Sequence, residues 1–270
     1  MDTIRKGSKG ADVRKCQQLL NLHGYKVAVD GDFGPGTEKA VKEFQASSKL
    51  TADGIVGPNT WNALLEVPKN YLPEEPLPPI LQHAKGMGYE IWNEPYKLWL
   101  FGIRSNNPQS NSFDDTLGCY YYTEEGGWVS YFWPGTTDPG TYWLENPSRV
   151  QGTAILVEDQ YLDTWTIDLH SGKYEALCQR AGEVSVYRDG NKDDQLDEDP
   201  NTIMKGYFGI NIHRSSLSGE SSQVDKWSAG CQVFKRLDDF NKMMQLAHMQ
   251  VDKTGIETFS YTLFKDWGVS

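Results

Sequence analysis

Asp30-Gly-Asp-Phe-Gly-Pro-Gly-Thr-Glu-Lys-Ala-Val41 and Asp53-Gly-Ile-Val-Gly-Pro-Asn-Thr-Trp-Asn-Ala-Leu64 are two copies of one pattern, 23 residues apart. In each copy Asp-Gly makes a turn, Gly-Pro sets a second, and a threonine (Thr37 or Thr60) falls where a helix begins. Helical spacing follows, with Val41, Phe44 and Gln45 after the first turn and Trp61, Leu64 and Leu65 after the second. Upstream, Val13, Leu19, Leu20 and Leu22 keep the same period, and Gly24 closes them. The expectation is a small three-helix bundle over residues 1–67.

Beyond it, Val67-Pro-Lys-Asn-Tyr-Leu-Pro-Glu-Glu-Pro-Leu-Pro-Pro79 holds five prolines in 13 residues. Proline fixes φ and removes a backbone donor, so residues 68–79 read as a semi-rigid extended linker. The charge also changes at this seam. Of 26 basic and 37 acidic side chains, residues 1–67 hold nine and eight, leaving a net of -12 on the remainder. A chain of net charge -11 is poorly suited to nucleic acid, whose affinity comes from lysine and arginine on phosphates, or to an anionic membrane face. No stretch of about 18 apolar residues exists to span a membrane. The 270 residues therefore read as two domains, 1–67 and 80–270, joined by the proline segment.

The first pattern resembles the three-helix peptidoglycan-binding domain found on many wall hydrolases. The matching residues are Gly7, Gly10, Val13, Gln17, Leu20, Gly24-Tyr25, both Asp-Gly…Gly-Pro-x-Thr units and Phe44-Gln45, together covering residues 3–66. On their own chemistry most of these glycines and apolar residues only build the fold. The resemblance implies a partner, bacterial peptidoglycan, whose glycan or stem peptide lies in a groove near the Asp-Gly turns.

The second domain is strand-rich. Lys97–Arg104 is one apolar run, and Leu117–Trp133 reads as a hairpin about Glu124–Gly127. Further strands are expected at Ala154–Val157, Val184–Tyr187, Gly206–His213 and Thr258–Phe264. A helix is expected from Asp238 to Val251, with Phe240, Met243, Met244 and Ala247 at helical spacing. The fold class is α+β: a helical N-terminal bundle and a mostly-β second domain with a few helices.

Three segments of this domain resemble the YkuD-type L,D-transpeptidases over roughly residues 130–264. Thr137-Asp-Pro-Gly-Thr-Tyr142 is similar to that family's turn-and-strand, with Asp138 inserted before the proline. Ile210-Asn-Ile-His213 is similar to the strand that delivers its histidine, and Ser228-Ala-Gly-Cys231 to its nucleophile motif. The spacing of 18 positions from His213 to Cys231 fits. Three positions depart: Ala229 stands where the family carries a second histidine, Val233 where it carries a polar residue, and Arg214 where a small residue follows the histidine.

A free cysteine titrates near 8.5, so attack on an amide carbonyl needs a neighbouring base. The resemblance implies that His213 supplies it to Cys231. The backbone N–H of Cys231, with that of Gly230, would hold the oxyanion, and the carbonyl of Arg214 would orient the imidazole. The Arg214 side chain could instead meet a carboxylate of the stem peptide. Ser228 and Trp227 are expected to shape the turn. The implied substrate is the bond joining the L-centre of a diamino acid to the following D-residue. The thioester then passes to water or to an amine. Cys16, Cys119 and Cys178 read as buried apolar residues, and His23, His83, His170 and His248 as structural.

The run Asp189-Gly-Asn-Lys-Asp-Asp-Gln-Leu-Asp197 echoes a calcium loop through Asp189, Asn191, Asp193 and Asp197. It departs at Asp194, where glycine makes the sharp turn, and at Pro200, where a bidentate acid closes the site. A structural Ca²⁺ and a solvated acidic loop are the two readings; the chemistry itself requires no cofactor.

Met1–Ser8 lacks the apolar run of a secretory signal. The expectation is a chain made in the cytoplasm that acts in the periplasm or cell wall after release or delivery. That is the manner of a phage endolysin, a tail lysin or an injected effector, with phage or injection-apparatus proteins as further partners. Hydrolysis suits those roles better than cross-linking. Three rivals stand beside it. One is a housekeeping L,D-transpeptidase whose signal was removed. Another is a non-catalytic wall-binding or structural component. The third is a zinc peptidase using His170, His213 and an acid, although no His-x-x-x-His pair is present.

Overall fold

The computed structural model describes residues 2–65, 77–107, 109–124, 126–217 and 219–268. Most of the expected proline linker therefore lies outside the described residues. Two compact units emerge, one of residues 1–95 with 122–128 and one of 96–121 with 129–270. The combination is α+β.

The first unit is built on helices α1 (Ala11–Leu22), α2 (Pro35–Ser47) and α3 (Pro58–Leu65), with α4 (Pro79–Gly86) beyond. Val13, Leu20, Val41, Phe44, Trp61 and Leu64 are buried together, whereas Leu65 is exposed. Both repeat helices begin two residues before the threonines expected to start them. Proline occupies their first position, where a missing N–H costs nothing.

The threonines serve instead in a polar knot that occurs twice. Gln17 Nε2 donates to Asp30 Oδ1 (2.8 Å), the Asp32 carbonyl (3.0 Å) and Thr37 Oγ1 (3.1 Å), while its Oε1 accepts from Gly31 N (2.9 Å). Gln45 repeats this with Asp53 Oδ1 (2.9 Å), the Ile55 carbonyl (2.9 Å), Thr60 Oγ1 (3.1 Å) and Gly54 N (2.9 Å). Both glutamines are buried. A buried amide is tolerated only when its donors and acceptor are satisfied, which ties each Asp-Gly turn to the preceding helix. Asp30 and Asp53 each also accept from the backbone N–H two residues on, at 2.9 Å. Those bonds, with the glutamine amides, hold both carboxyls below the usual range.

The second unit is an eight-stranded closed barrel with a three-stranded sheet. Its strands are β1 (Trp99–Arg104), β2 (Asp115–Tyr122), β3 (Trp128–Thr136), β5 (Gln160–His170), β6 (Tyr174–Gln179), β9 (Ile212–Arg214), β10 (Gln232–Phe234) and β11 (Thr258–Lys265). The order around the barrel is β1-β11-β5-β6-β9-β10-β3-β2. The small sheet is β4 (Thr153–Leu156), β7 (Val184–Asp189) and β8 (Met204–Gly206). Helix α6 (Leu237–Thr254) buries Phe240, Met243, Met244 and Ala247, the residues expected from their spacing, and ends at a left-handed Gly255. Closure leaves no barrel edge and surrounds a core that includes Leu100, Trp165, Leu177, Ile212, Phe234 and Tyr261.

Three places differ from expectation. The β5–β6 hairpin is additional, and its alternation slips where Asp163 takes a positive φ of 47° beside a bulge in the β11 pairing. Gly206–His213 is not one strand but two, β8 and β9, in different sheets. Between them Gly209 has φ +73°, and the buried side chain of Gln179 accepts from the N–H groups of Phe208 (3.1 Å), Gly209 (3.0 Å) and Ile210 (3.1 Å). Three donors converging on one oxygen curl the segment out of strand geometry. Last, 137–142 is not a turn and strand. After Pro139 the Gly140 N–H bonds the Ser228 carbonyl (2.9 Å), and the chain enters the short helix α5 (Thr141–Glu145).

The inserted Asp138 is buried and pairs with the buried guanidinium of Arg104, Oδ1 to Nε at 2.8 Å, though not in hydrogen-bonding geometry. Arg104 also meets Glu158 at 2.7 Å. Among the described residues no helix is long and apolar enough to cross a membrane.

Candidate active site

The parallel pair β9–β10 sets Ile212 beside Gln232 and His213 beside Val233, which brings Cys231, immediately before β10, to the level of Asn211. Cys231 is the cysteine that keeps some exposure; Cys16, Cys119 and Cys178 are buried, as expected. Its Sγ donates to the Gly209 carbonyl and accepts from the Asn211 N–H, both at 3.4 Å. Burial pushes the thiol up to about 11, against the opposing pull of the Asn211 N–H, so it is protonated at neutral pH.

Gly230 has φ +115°, and a Cβ there would lie 2.2 Å from the Ala154 carbonyl oxygen, so only glycine fits. The buried Ser228 hydroxyl donates to the Cys231 carbonyl (2.8 Å) and accepts from the Gly230 N–H (3.1 Å). The Gly230 amide is thus engaged inside its own turn, which corrects the expectation that it helps hold an oxyanion. Among the described residues no hydrogen bond claims the Cys231 N–H, which remains the candidate donor. Ser228 shapes the turn.

His213 is buried, with Nδ1 2.7 Å from the Arg214 carbonyl oxygen. A carbonyl only accepts, so Nδ1 carries the hydrogen and Nε2 keeps its lone pair. Burial, helped by neighbouring His170 and Arg214, pushes the imidazole down to about 3, although its bond to the Arg214 carbonyl acts the other way. The thiol and imidazole are therefore both neutral across the physiological range. No hydrogen bond joins them among the described residues.

Residues read as structural or left without a role complete the cluster. The His170 ring stacks on His213, with centroids 4.2 Å apart and planes at 24°. The Tyr174 hydroxyl lies 3.5 Å from both His213 Nδ1 and the Arg214 carbonyl, and within electrostatic reach of Cys231. The Arg214 guanidinium covers the Tyr174 ring at 3.8 Å, and its Nη1 donates to the Ser216 carbonyl (3.1 Å). Asn211 Nδ2 meets His170 Nδ1 at 3.1 Å, while its Oδ1 accepts from Gln179 N at 3.0 Å. His170 and Tyr174 are register partners at the closed end of the β5–β6 hairpin. With that hairpin unrecognised, only the zinc-peptidase rival sets His170 beside His213, and no local signal brings Tyr174 there.

The acidic loop runs from the end of β7 to residue 199. Asp189 is buried, its Oδ2 accepting from Asp197 N (3.0 Å). Asn191 Nδ2 donates to Asp193 (2.8 Å) and Asp197 (2.7 Å), so a side-chain amide bridges the carboxylates. Burial raises the Asp189 carboxyl, and the carboxylates of Asp197 and Asp193 add to it. Among the described residues no group of three or more His, Cys, Asp or Glu is arranged to hold a metal ion. His170 and His213 do come together, but with one ring nitrogen of each already engaged by Asn211 or Arg214.

Comparison with known proteins bears on the first unit. The model of a family described as a peptidoglycan binding domain matches residues 9–64. The zinc D-Ala-D-Ala carboxypeptidase of Streptomyces albus G is 41% identical over 70 residues, 24% of this chain and 27% of that one. The spore cortex-lytic enzyme of Bacillus cereus is 39% identical over 67 residues, 24% and 26% of the two chains. The crystal structure of a Burkholderia AP3 phage endolysin is 42% identical over 24% of this chain and 25% of its own, with a TM-score of 0.24. The chain spans about a quarter of the length of these curated relatives. Residues 9–64 thus match a peptidoglycan-binding domain, and in this chain they carry the doubled glutamine knot.

Proposed function

We propose that this chain is a peptidoglycan-directed cysteine hydrolase. The first unit holds the wall, and Cys231 attacks a stem-peptide carbonyl, with His213 as base. The observation that carries this reading is a partly exposed thiol in a tight Gly-Cys turn beside a strand that presents an imidazole with Nδ1 held by a carbonyl. The thiol proton passes to His213 Nε2 as sulfur bonds to the carbonyl carbon, and the oxyanion meets the Cys231 N–H. Collapse expels the amine, which takes that proton, and leaves a thioester. Water then adds, its proton going to His213, and the freed carboxylate departs as the thiol is restored.

Neutral partners mean that the base acts as attack occurs, without a standing thiolate–imidazolium pair. The Arg214 guanidinium, with donors to spare, suits a carboxylate of the stem. The resemblance to the YkuD-type family suggests the bond after the L-centre of the diamino acid, as an L,D-carboxypeptidase or endopeptidase. Relatives named as a carboxypeptidase and a cortex-lytic enzyme favour hydrolysis over cross-linking. A lytic role in phage release, tail entry or effector delivery fits that chemistry.

The test is digestion of purified sacculi by wild type and Cys231→Ala, with products read by mass spectrometry. Loss of terminal D-residues or of L,D cross-links with wild type alone is expected. Glycan cleavage, or the same products from both proteins, would defeat the proposal.

A further inference from the structure

Two imidazoles meet in this site, and their hydrogen bonds give them opposite tautomers. The Asn211 side-chain oxygen is committed to Gln179 N, so its nitrogen is the atom that faces His170 Nδ1 and donates to it. His170 Nδ1 is therefore an acceptor, and in the neutral ring its hydrogen sits on Nε2. His213 is the reverse, with the hydrogen on Nδ1, directed to the Arg214 carbonyl. Of these two rings, His213 Nε2 is the lone pair that no hydrogen bond engages among the described residues.

We infer that His170 is a positioning residue for His213, holding that ring by a face-to-face stack in the orientation that directs Nε2 to the thiol; the inference rests on the Cys231–His213 reading above. The hydrogen bond to Arg214 fixes one nitrogen but leaves the ring free to rock about that contact. A second ring 4.2 Å away and nearly parallel removes that freedom. His170 is itself held, by Asn211 on one side and by the closed hairpin that pairs it with Tyr174 on the other. Asn211 ties the arrangement to the nucleophile, since its backbone N–H is the one that meets Cys231 Sγ.

The stack also bears on charge. When His213 takes the thiol proton, a neutral aromatic face beside it favours the cation, whereas a protonated His170 would oppose it. The groups facing His170 are His213 and Arg214 on β9, Tyr174 on β6, Lys173 in the turn and Arg180 after β6, with Asn211 as hydrogen-bond donor. Burial and three of these cations keep His170 deprotonated below its ordinary range.

The full-length protein is compared with His170→Ala and His170→Phe on a disaccharide-tetrapeptide, alongside NMR of ¹⁵N,¹³C-histidine-labelled samples. Ring displacement without loss of the nucleophile lowers kcat by about tenfold in His170→Ala with KM little changed. His170→Phe restores the stack and recovers most of that kcat. Its acid limb moves to lower pH, because phenylalanine cannot take up a proton. In the spectra His213 shows one Nδ1–H tautomer in wild type and His170→Phe, and an averaged signal in His170→Ala. Wild-type kcat and pH profile in His170→Ala, or an unchanged His213 signal, would overturn the inference. Should wild type show no Cys231-dependent turnover, the hydrolase reading fails, while the His213 signal still decides whether His170 positions that ring.

Discussion

The glutamine knots of the first unit and the histidine cluster of the second are both polar networks built around buried side chains, Gln17 and Gln45 in one and His213 in the other, and they differ in what is left over. Gln17 and Gln45 engage their amide donors and their acceptor within the fold, and so do the carboxylates of Asp30 and Asp53. In the second unit each histidine has one nitrogen engaged, and the Cys231 N–H has no hydrogen-bond partner among the described residues. A fully satisfied network rigidifies a fold. The histidine cluster instead keeps the His213 Nε2 lone pair and the Cys231 N–H in reserve among the described residues, which is what the proposed reaction requires.

The largest effect that would sharpen this contrast is at His213. Replacing it with glutamine keeps a polar side chain but removes the proposed base, and muropeptide turnover should fall by about 10²–10⁴-fold with wall binding retained. A variant with near-normal turnover would break the comparison, since the reserved lone pair would then have no use. The same pair of proteins tests the burial. An imidazole lowered from 6.5 to about 3 takes up its proton first in the unfolded chain. Its contribution to stability is whole above pH 6.5 and declines as pH falls toward 3. Urea titrations should show wild type losing more stability than His213→Gln across that window; parallel curves would mean the ring is solvated.

The knots should respond in stability and in equal measure. Gln17→Ala and Gln45→Ala each strand a buried glycine N–H, at a cost of about 1–3 kcal/mol, readable by urea titration. Strongly unequal losses would show that the two copies are alike in sequence but not in load. The smallest effect is expected in the acidic loop. Asn191→Ala removes the amide between Asp193 and Asp197 and should lower stability by about 1 kcal/mol at low salt. A calcium-dependent rise in the wild-type melting temperature that is lost in Asp193→Asn would place a cation where that amide sits.

Legibility followed the range of the interactions. The helices of the first unit, the α6 face and the motif around Cys231 could be read because their signals are local: a repeated turn, a 3.6-residue period, a glycine before a cysteine. The β5–β6 hairpin could not, since its alternation slips at Asp163. The expected strand through Tyr207–Asn211 failed because Gln179, some thirty residues away in sequence, gathers three of its amides. Gly209 was the one local sign of that break.

What the sequence determined by itself was the doubled pattern of the peptidoglycan-binding domain, the helix–strand order of most of the chain, and the residues Cys231, His213 and Arg214 as the candidate site. Those follow from turn chemistry and periodicity, which act between near neighbours. What only the tertiary structure decided was the company these residues keep. Barrel closure set His170 and Tyr174 against His213, committed the Gly230 amide to Ser228, and left His213 Nε2 without a hydrogen bond among the described residues. Hydrogen bonds and ring stacks between distant segments depend on strand register, and register is settled by the packing of the whole barrel.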